Sequence, residues 1–101
     1  MDWADFEVEE PDGTSVTLYL FVFVLGYSRA LYAEFVRRST LEAFLDAHIR
    51  TFEYLGGVPM EVLYDNMKQV VRGRKDGRVE FNVEFVHFAH HYRFLPRVCP
   101  P

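Results

Sequence analysis

The sequence predicts an α/β domain on a mixed sheet, in the order strand, strand, strand, helix, strand, helix, strand. Three observations carry that reading. Residues 2–37 are dominated by alternating, β-branched and aromatic positions. The apolar spacing then switches to a helical period after Ser39. A short apolar strand follows that helix, which implies a crossover and a parallel pairing.

Each element has a local cause. Residues 2–9 alternate, with Asp2, Ala4, Phe6 and Val8 on one side and Trp3, Asp5, Glu7 and Glu9 on the other. Pro11-Asp12-Gly13 is a turn signal. Val16 to Tyr27 alternates little and reads as an inner strand covered on both faces. Gly26 precedes a bend at Tyr27-Ser28, and Leu31 to Arg37 completes an antiparallel meander. Ser39 with Glu42 reads as a capping box, and Leu41, Phe44, Leu45, His48, Phe52 and Leu55 form the apolar stripe of the first helix. Gly56-Gly57 ends it. Val58 to Tyr64 reads as a short strand, with Pro59 near its start. Residues 67–82 are either a hairpin turning at Asp76-Gly77 or a basic loop. Asn82 caps a second helix with the apolar face Phe85, Phe88, Ala89 and Tyr92, and Phe94 to Cys99 forms a last strand.

The chain has 101 residues, 50% hydrophobic and 17% aromatic, which suits one folded domain over 1–101. Cys99 is the single cysteine, so no internal disulfide forms, and no Cys/His set has zinc-finger spacing. No basic leader precedes an apolar segment, so no secretion signal is expected. The longest apolar run, Leu18 to Leu25, is too short to span a bilayer. The net charge of −4 argues against a nucleic-acid binder that uses its whole surface, and leaves room for a local basic patch. Such a patch exists in the sequence. Asp2, Asp5, Glu7, Glu9, Glu10 and Asp12 crowd the start without a base, whereas Lys68, Arg72, Arg74, Lys75 and Arg78 face only Asp76. Both runs also read as ordinary solvated surface.

Two acids stand out. Asp2 falls on the apolar side of the first strand, where a carboxylate is costly unless paired or metal-bound. Asp65 falls just past the end of a parallel strand, where open α/β sheets place ligands. Two carboxylates brought together repel, and a hard divalent cation such as magnesium or manganese resolves the repulsion. The plainer readings are a solvated terminal residue for Asp2 and a turn-shaping role for Asp65-Asn66. His87 and His91 share a helix face at a spacing that suits zinc, but no third ligand accompanies them, so they read as surface. His48 reads as core, and nothing marks Cys99 as a nucleophile.

The segments Asp2-Trp3, Ser28-Arg29-Ala30, Glu42-Ala43-Phe44-Leu45, Phe52-Glu53-Tyr54-Leu55-Gly56-Gly57-Val58-Pro59 and Leu63-Tyr64-Asp65-Asn66-Met67-Lys68 resemble the catalytic core of IstA-type insertion-sequence transposases. His91-Tyr92-Arg93-Phe94 is similar to the segment after the second helix in that family. These enzymes belong to the DDE superfamily and share an RNase H-like fold with retroviral integrases. The resemblance covers nearly the whole chain.

The resemblance implies an RNase H-like mixed sheet, truncated before the last helices. It implies DNA transposition, by metal-dependent phosphodiester cleavage and strand transfer. Asp2 matches the first catalytic aspartate and Asp65 the second. Together with a third acid they would hold two Mg²⁺ (or Mn²⁺) ions about 3.5–4 Å apart, Asp2 bridging both. The third acid is a glutamate in a Lys-Gly-Lys-Val-Glu-like motif, which does not occur here; Glu80 and Glu84 come too early. The chain is therefore expected to be a fragment of the core, cut at both ends and inactive alone. The implied partners are transposon-end and target DNA and an ATPase helper protein, in the bacterial cytoplasm at the nucleoid and without a membrane; apolar sheet surface uncovered by the missing later helices is expected to drive self-association. Lys68, Arg72, Arg74, Lys75 and Arg78 are the candidate DNA contacts. The rival expectation is a non-catalytic RNase H-like remnant that serves oligomerisation or DNA docking. A third keeps the fold and loses the chemistry.

Overall fold

The computed structural model describes residues 1–25, 30–65 and 67–99, and over residues 2–6 the backbone alone. The bend expected at Gly26 to Ser28, most of the Ser28-Arg29-Ala30 motif and Asn66 lie outside the described residues.

β1 (Asp2–Glu9) and β2 (Ser15–Val24) pair antiparallel, from Asp2 opposite Val22 to Glu9 opposite Ser15. Asp12 shapes the turn between them: its Oδ1 accepts from the Thr14 N–H at 3.0 Å and the Thr14 hydroxyl at 2.7 Å. Gly13 follows at φ +89°, a backbone position that disfavours any side chain. β3 (Leu31–Val36) pairs with the other edge of β2, Val24 opposite Leu31.

α1 (Leu41–Leu55) crosses one face of this sheet. Its cap is Thr40 rather than Ser39: the Thr40 hydroxyl accepts from the Ala43 N–H at 3.2 Å. Ser39 contributes its carbonyl instead, which accepts from the Gln69 side-chain amide at 2.7 Å. Ser and Thr are both good caps, Ser somewhat the better, so the path of the entering chain and not the side-chain chemistry selects Thr40 here. Gly56, at φ +77°, ends the helix by donating to the carbonyls of Phe52 and Glu53. The buried stripe Phe44, Ala47, His48, Thr51 and Phe52 meets Phe21 and Phe23 of β2. Phe21 and Phe44 stand edge to face at 6.1 Å, as do Phe23 and Phe52 at 6.3 Å. Each such ring buried is worth about 1.5–3 kcal/mol. Arg50 fastens the helix to β3 by donating to Glu34 at 2.9 Å.

β4 (Glu61–Tyr64) pairs in parallel with β7 (Leu95–Val98), Tyr64 opposite Val98. The strand starts later than its apolar sequence suggests. Gly56 is left-handed and Pro59 lacks an N–H, so the chain joins the ladder only after Pro59. Between β4 and β7, residues 67–82 settle as a hairpin: β5 (Val71–Lys75) and β6 (Arg78–Phe81) turn at Asp76 (φ 53°) and Gly77 (φ 77°). Two positive φ values are what a tight hairpin turn requires. α2 (Val83–Tyr92) follows, capped by Asn82, whose Oδ1 accepts from the N–H groups of Glu84 and Phe85 at 3.0 and 3.3 Å.

The expected mixed sheet thus consists of a three-stranded antiparallel sheet, ordered β1-β2-β3, and the parallel pair β4-β7. Among the described residues, the Met1 amine ties the two by donating to the Leu63 carbonyl at 2.9 Å. Among the described residues β2 is covered on one face only. Phe21 and Phe23 turn to α1, whereas Val24, Leu31, Phe35, Leu63 and Leu95 are exposed on strands.

The cap assignment has a measurable consequence. Thr40→Ala should lower folding stability by about 1 kcal/mol, and Ser39→Ala should leave it nearly unchanged. Denaturant midpoints of the two variants check this; equal losses would return the cap to Ser39.

Candidate active site

β4 is short, and its two inward residues anchor it. Val62 is 4% exposed and Tyr64 is fully buried. Asp65, the next residue, is exposed where the chain leaves the strand. Its carbonyl accepts from the Met67 N–H at 2.8 Å, and the Met67 carbonyl accepts from Val70 and Val71 at 3.0 and 2.8 Å. A compact turn therefore carries the chain from Asp65 into the basic hairpin. Among the described residues no base and no hydrogen-bond donor engages the Asp65 carboxylate.

The bond from the Met1 amine to Leu63 lays the start of β1 beside the end of β4. The backbone of Asp2 is the next step along β1, opposite Val22. The Asp2 carboxylate lies outside the described residues, and its main chain starts beside the Asp65 end of β4. No group of three or more His, Cys, Asp or Glu side chains is arranged to hold a metal among the described residues, His87 and His91 included.

The basic residues divide. Arg72, Arg74, Lys75 and Arg78 are exposed on the β5–β6 hairpin. Arg74 is also tethered: it donates to the Cys99 carbonyl at 3.2 Å, and the Cys99 N–H donates to the Tyr64 carbonyl at 2.9 Å. The hairpin is thereby attached at the end of β4–β7 from which Asp65 departs. Lys68 is exposed and lines a hollow with Ser39, Thr40, Leu41, Gln69 and Asn82. Thr40 and Asn82 are the caps of α1 and α2, so Lys68 lies where two helix N-termini open.

Under this surface is a polar pair that the sequence did not disclose. His48 is fully buried, with Nδ1 2.7 Å from the Phe44 carbonyl and Nε2 2.8 Å from the Tyr64 hydroxyl. A carbonyl can only accept, so Nδ1 carries the hydrogen and Nε2 accepts from Tyr64. Burial drives the His48 pKa down from 6.5 to about 4, opposed by the hydrogen bond to Phe44 and aided by the positive N-terminus. Burial also pushes the Tyr64 hydroxyl well above its usual value. Both groups are therefore neutral at pH 7. The only hint in the sequence was a histidine at an apolar helical position; the partner tyrosine read as a strand residue.

A family model described as integrase core domain matches residues 1–101. The chain belongs to the integrase core domain family. It is 45% identical over 101 residues to a relative named for insertion sequence element IS5376 in Geobacillus stearothermophilus, covering all of this chain and 25% of that one. It is 37% identical over 100 residues to the transposase for insertion sequence element IS21 of Pseudomonas aeruginosa, covering 99% of this chain and 25% of the relative. The chain therefore spans about a quarter of the length of these relatives. In structure it resembles a chain of the simian T-cell lymphotropic virus intasome, with a TM-score of 0.67, 18% identity, and coverage of 98% of this chain and 34% of that one. That likeness shows the fold, as expected: RNase H-like and shared with integrases. No helix among the described residues is long and apolar enough to cross a membrane.

The buried histidine makes stability depend on pH. Unfolded, His48 takes a proton near pH 6.5; folded, only near 4. Its contribution is therefore complete above about pH 6.5 and is lost as pH falls toward 4, by on the order of 3 kcal/mol. Urea midpoints measured across that window should fall in the native sequence, and the fall should be smaller in the double variant His48→Leu/Tyr64→Phe. Parallel curves for the two proteins would count against the assignment.

Proposed function

We propose that this integrase core domain is the metal- and DNA-binding heart of an insertion-sequence transposase, with Asp2 and Asp65 as two of its metal ligands. The observation that carries the reading is main-chain geometry: the first strand begins beside the end of β4, one residue before Asp2 and two before Asp65. The donor chemistry fits. Both are hard carboxylate oxygens, suited to Mg²⁺ or Mn²⁺. Among the described residues the Asp65 carboxylate is also uncommitted to any other partner.

Bound divalent cations would supply Lewis-acid charge to an attacking and a leaving oxygen at a phosphodiester. The chain's own part is to hold the ligands and the substrate. Asp65 presents its carboxylate from a rigid strand end. Arg72, Lys75 and Arg78 neutralise phosphates along the hairpin, which Arg74 ties to the same end of β4–β7. Lys68 and the N-termini of α1 and α2 offer a further place for a phosphate. A third acid in the family's motif is not among these residues, so the 101-residue chain holds metal weakly and does not cut DNA. Transposon ends and target DNA are the substrates in this reading, and an ATPase helper is a partner of the longer protein. Self-association is supported by the exposed apolar strand face, Val24, Leu31, Phe35, Leu63 and Leu95; a chain that sediments as a strict monomer at high concentration would remove that part.

Mn²⁺ titration of the isotopically labelled chain should broaden amide signals around both Asp2 and Asp65, and Asp2→Asn should abolish the effect. Broadening at His87 and His91 instead would move the metal site. Nicking of DNA that needs Mg²⁺ and disappears in Asp2→Asn would show that two ligands suffice. For DNA, the slope of log affinity against log salt should shrink by about one unit for each of Arg72→Ala, Lys75→Ala and Arg78→Ala. An unchanged slope would leave the hairpin as solvated surface.

A further inference from the structure

The core under Asp65 does not need a polar pair in order to pack. A phenylalanine at 64 would fill the same space among Phe44 and Phe85, and a leucine at 48 would pack within the same stripe. Two neutral polar groups were instead buried and matched, and replacing both partners of such a hydrogen bond by apolar groups of similar shape can be nearly neutral or stabilising. Stability therefore does not explain them, and their geometry does.

His48 is fixed at both nitrogens, by the Phe44 carbonyl of its own helix at 2.7 Å and the Tyr64 hydroxyl at 2.8 Å. The imidazole is thus a rigid strut from α1 to the last residue of β4. Aromatic packing tolerates sliding; a short hydrogen bond inside a low-dielectric core does not. The next atoms along the chain belong to Asp65. The main chain there is held from outside as well, by the Cys99 N–H on the Tyr64 carbonyl and the Met67 N–H on the Asp65 carbonyl.

We propose that His48 and Tyr64 are positioning residues for Asp65: the Nε2–Oη hydrogen bond ties the end of β4 to α1 and so sets where the Asp65 carboxylate stands beside β1. The metal role of Asp65 is taken from the function proposed above; the positional lock is independent of it. Groups behind a ligand commonly tune metal affinity by 10–100-fold without touching the metal.

The test uses the 101-residue chain and three variants, Asp65→Asn serving as the control on the metal. Tyr64→Phe removes the hydroxyl and strands the His48 Nε2. His48→Leu/Tyr64→Phe removes both polar groups and keeps the core folded should the first variant be too unstable. Amide hydrogen exchange is read at Met67 and Cys99, against α1 amides as the reference, and Mn²⁺ broadening is read at Asp65. The double variant should melt near the native temperature. Its Met67 and Cys99 amides should nevertheless exchange roughly tenfold faster relative to α1, and its Mn²⁺ affinity should fall about tenfold or more. Tyr64→Phe should show the same local loss on top of a general one. Native exchange and native Mn²⁺ affinity in the double variant would overturn the proposal, because packing alone would then place Asp65. If Asp65→Asn leaves Mn²⁺ broadening intact, the metal reading fails, and the exchange ratio still decides the lock.

Discussion

The hydrogen bond between His48 and Tyr64 joins the two halves of this molecule through its interior. His48 comes from the helix that covers the antiparallel sheet, and Tyr64 from the parallel pair beside it. Between those two sheets the described main chain is tied by the hydrogen bond from the Met1 amine to the Leu63 carbonyl. The side-chain core does the rest. Phe21 and Phe23 from β2, Phe44 and Phe52 from α1, Phe85 and Phe88 from α2, and Phe94 before β7 all pack their rings within about 6.5 Å of the imidazole. An imidazole so enclosed must be neutral, and a neutral imidazole with one donor and one acceptor needs a partner on each side. Phe44 and Tyr64 are those partners, and no buried side-chain polar atom is left unmatched among the described residues.

This arrangement separates rigidity from chemistry. The strand end that carries Asp65 is braced from beneath and behind, while its carboxylate faces solvent. The charges that would meet a nucleic acid sit on a hairpin, whose reach a scaffold can set without disturbing its core. Arg74 illustrates the link between the two: its guanidinium reaches the Cys99 carbonyl just past the last strand, so the basic hairpin and the end of β4 share one anchor. Surface ion pairs such as Arg97 with Glu61 add little beyond this.

Much of the architecture was legible because local chemistry and tertiary structure agree. Alternation placed β1, the spacing of Phe44, His48 and Phe52 placed α1, and Asn82 placed α2. The Asp76-Gly77 pair named its turn, although it took the observed positive φ values to choose a hairpin over a loop. Errors came where neighbours are chemically equivalent or coverage is non-local. Ser39 and Thr40 are both good caps, and the direction of chain entry chose Thr40. β2 looked covered on both faces because Val22 and Val24 are as apolar as Phe21 and Phe23; a helix lies against only one side.

By itself, the sequence determined the element order, the family through motifs such as Gly56-Gly57-Val58-Pro59 and Leu63-Tyr64-Asp65-Asn66, and the two acids worth pursuing. Those signals are local: they lie in residue spacing and short-range backbone preference. Only the tertiary structure decided that Tyr64 is the partner of His48, that β1 starts beside the end of β4, and that the basic hairpin is tied to the same end. Each of these joins residues far apart in the chain. No period or propensity encodes such a contact, because it arises only when the helix, the strands and the hairpin have packed against one another.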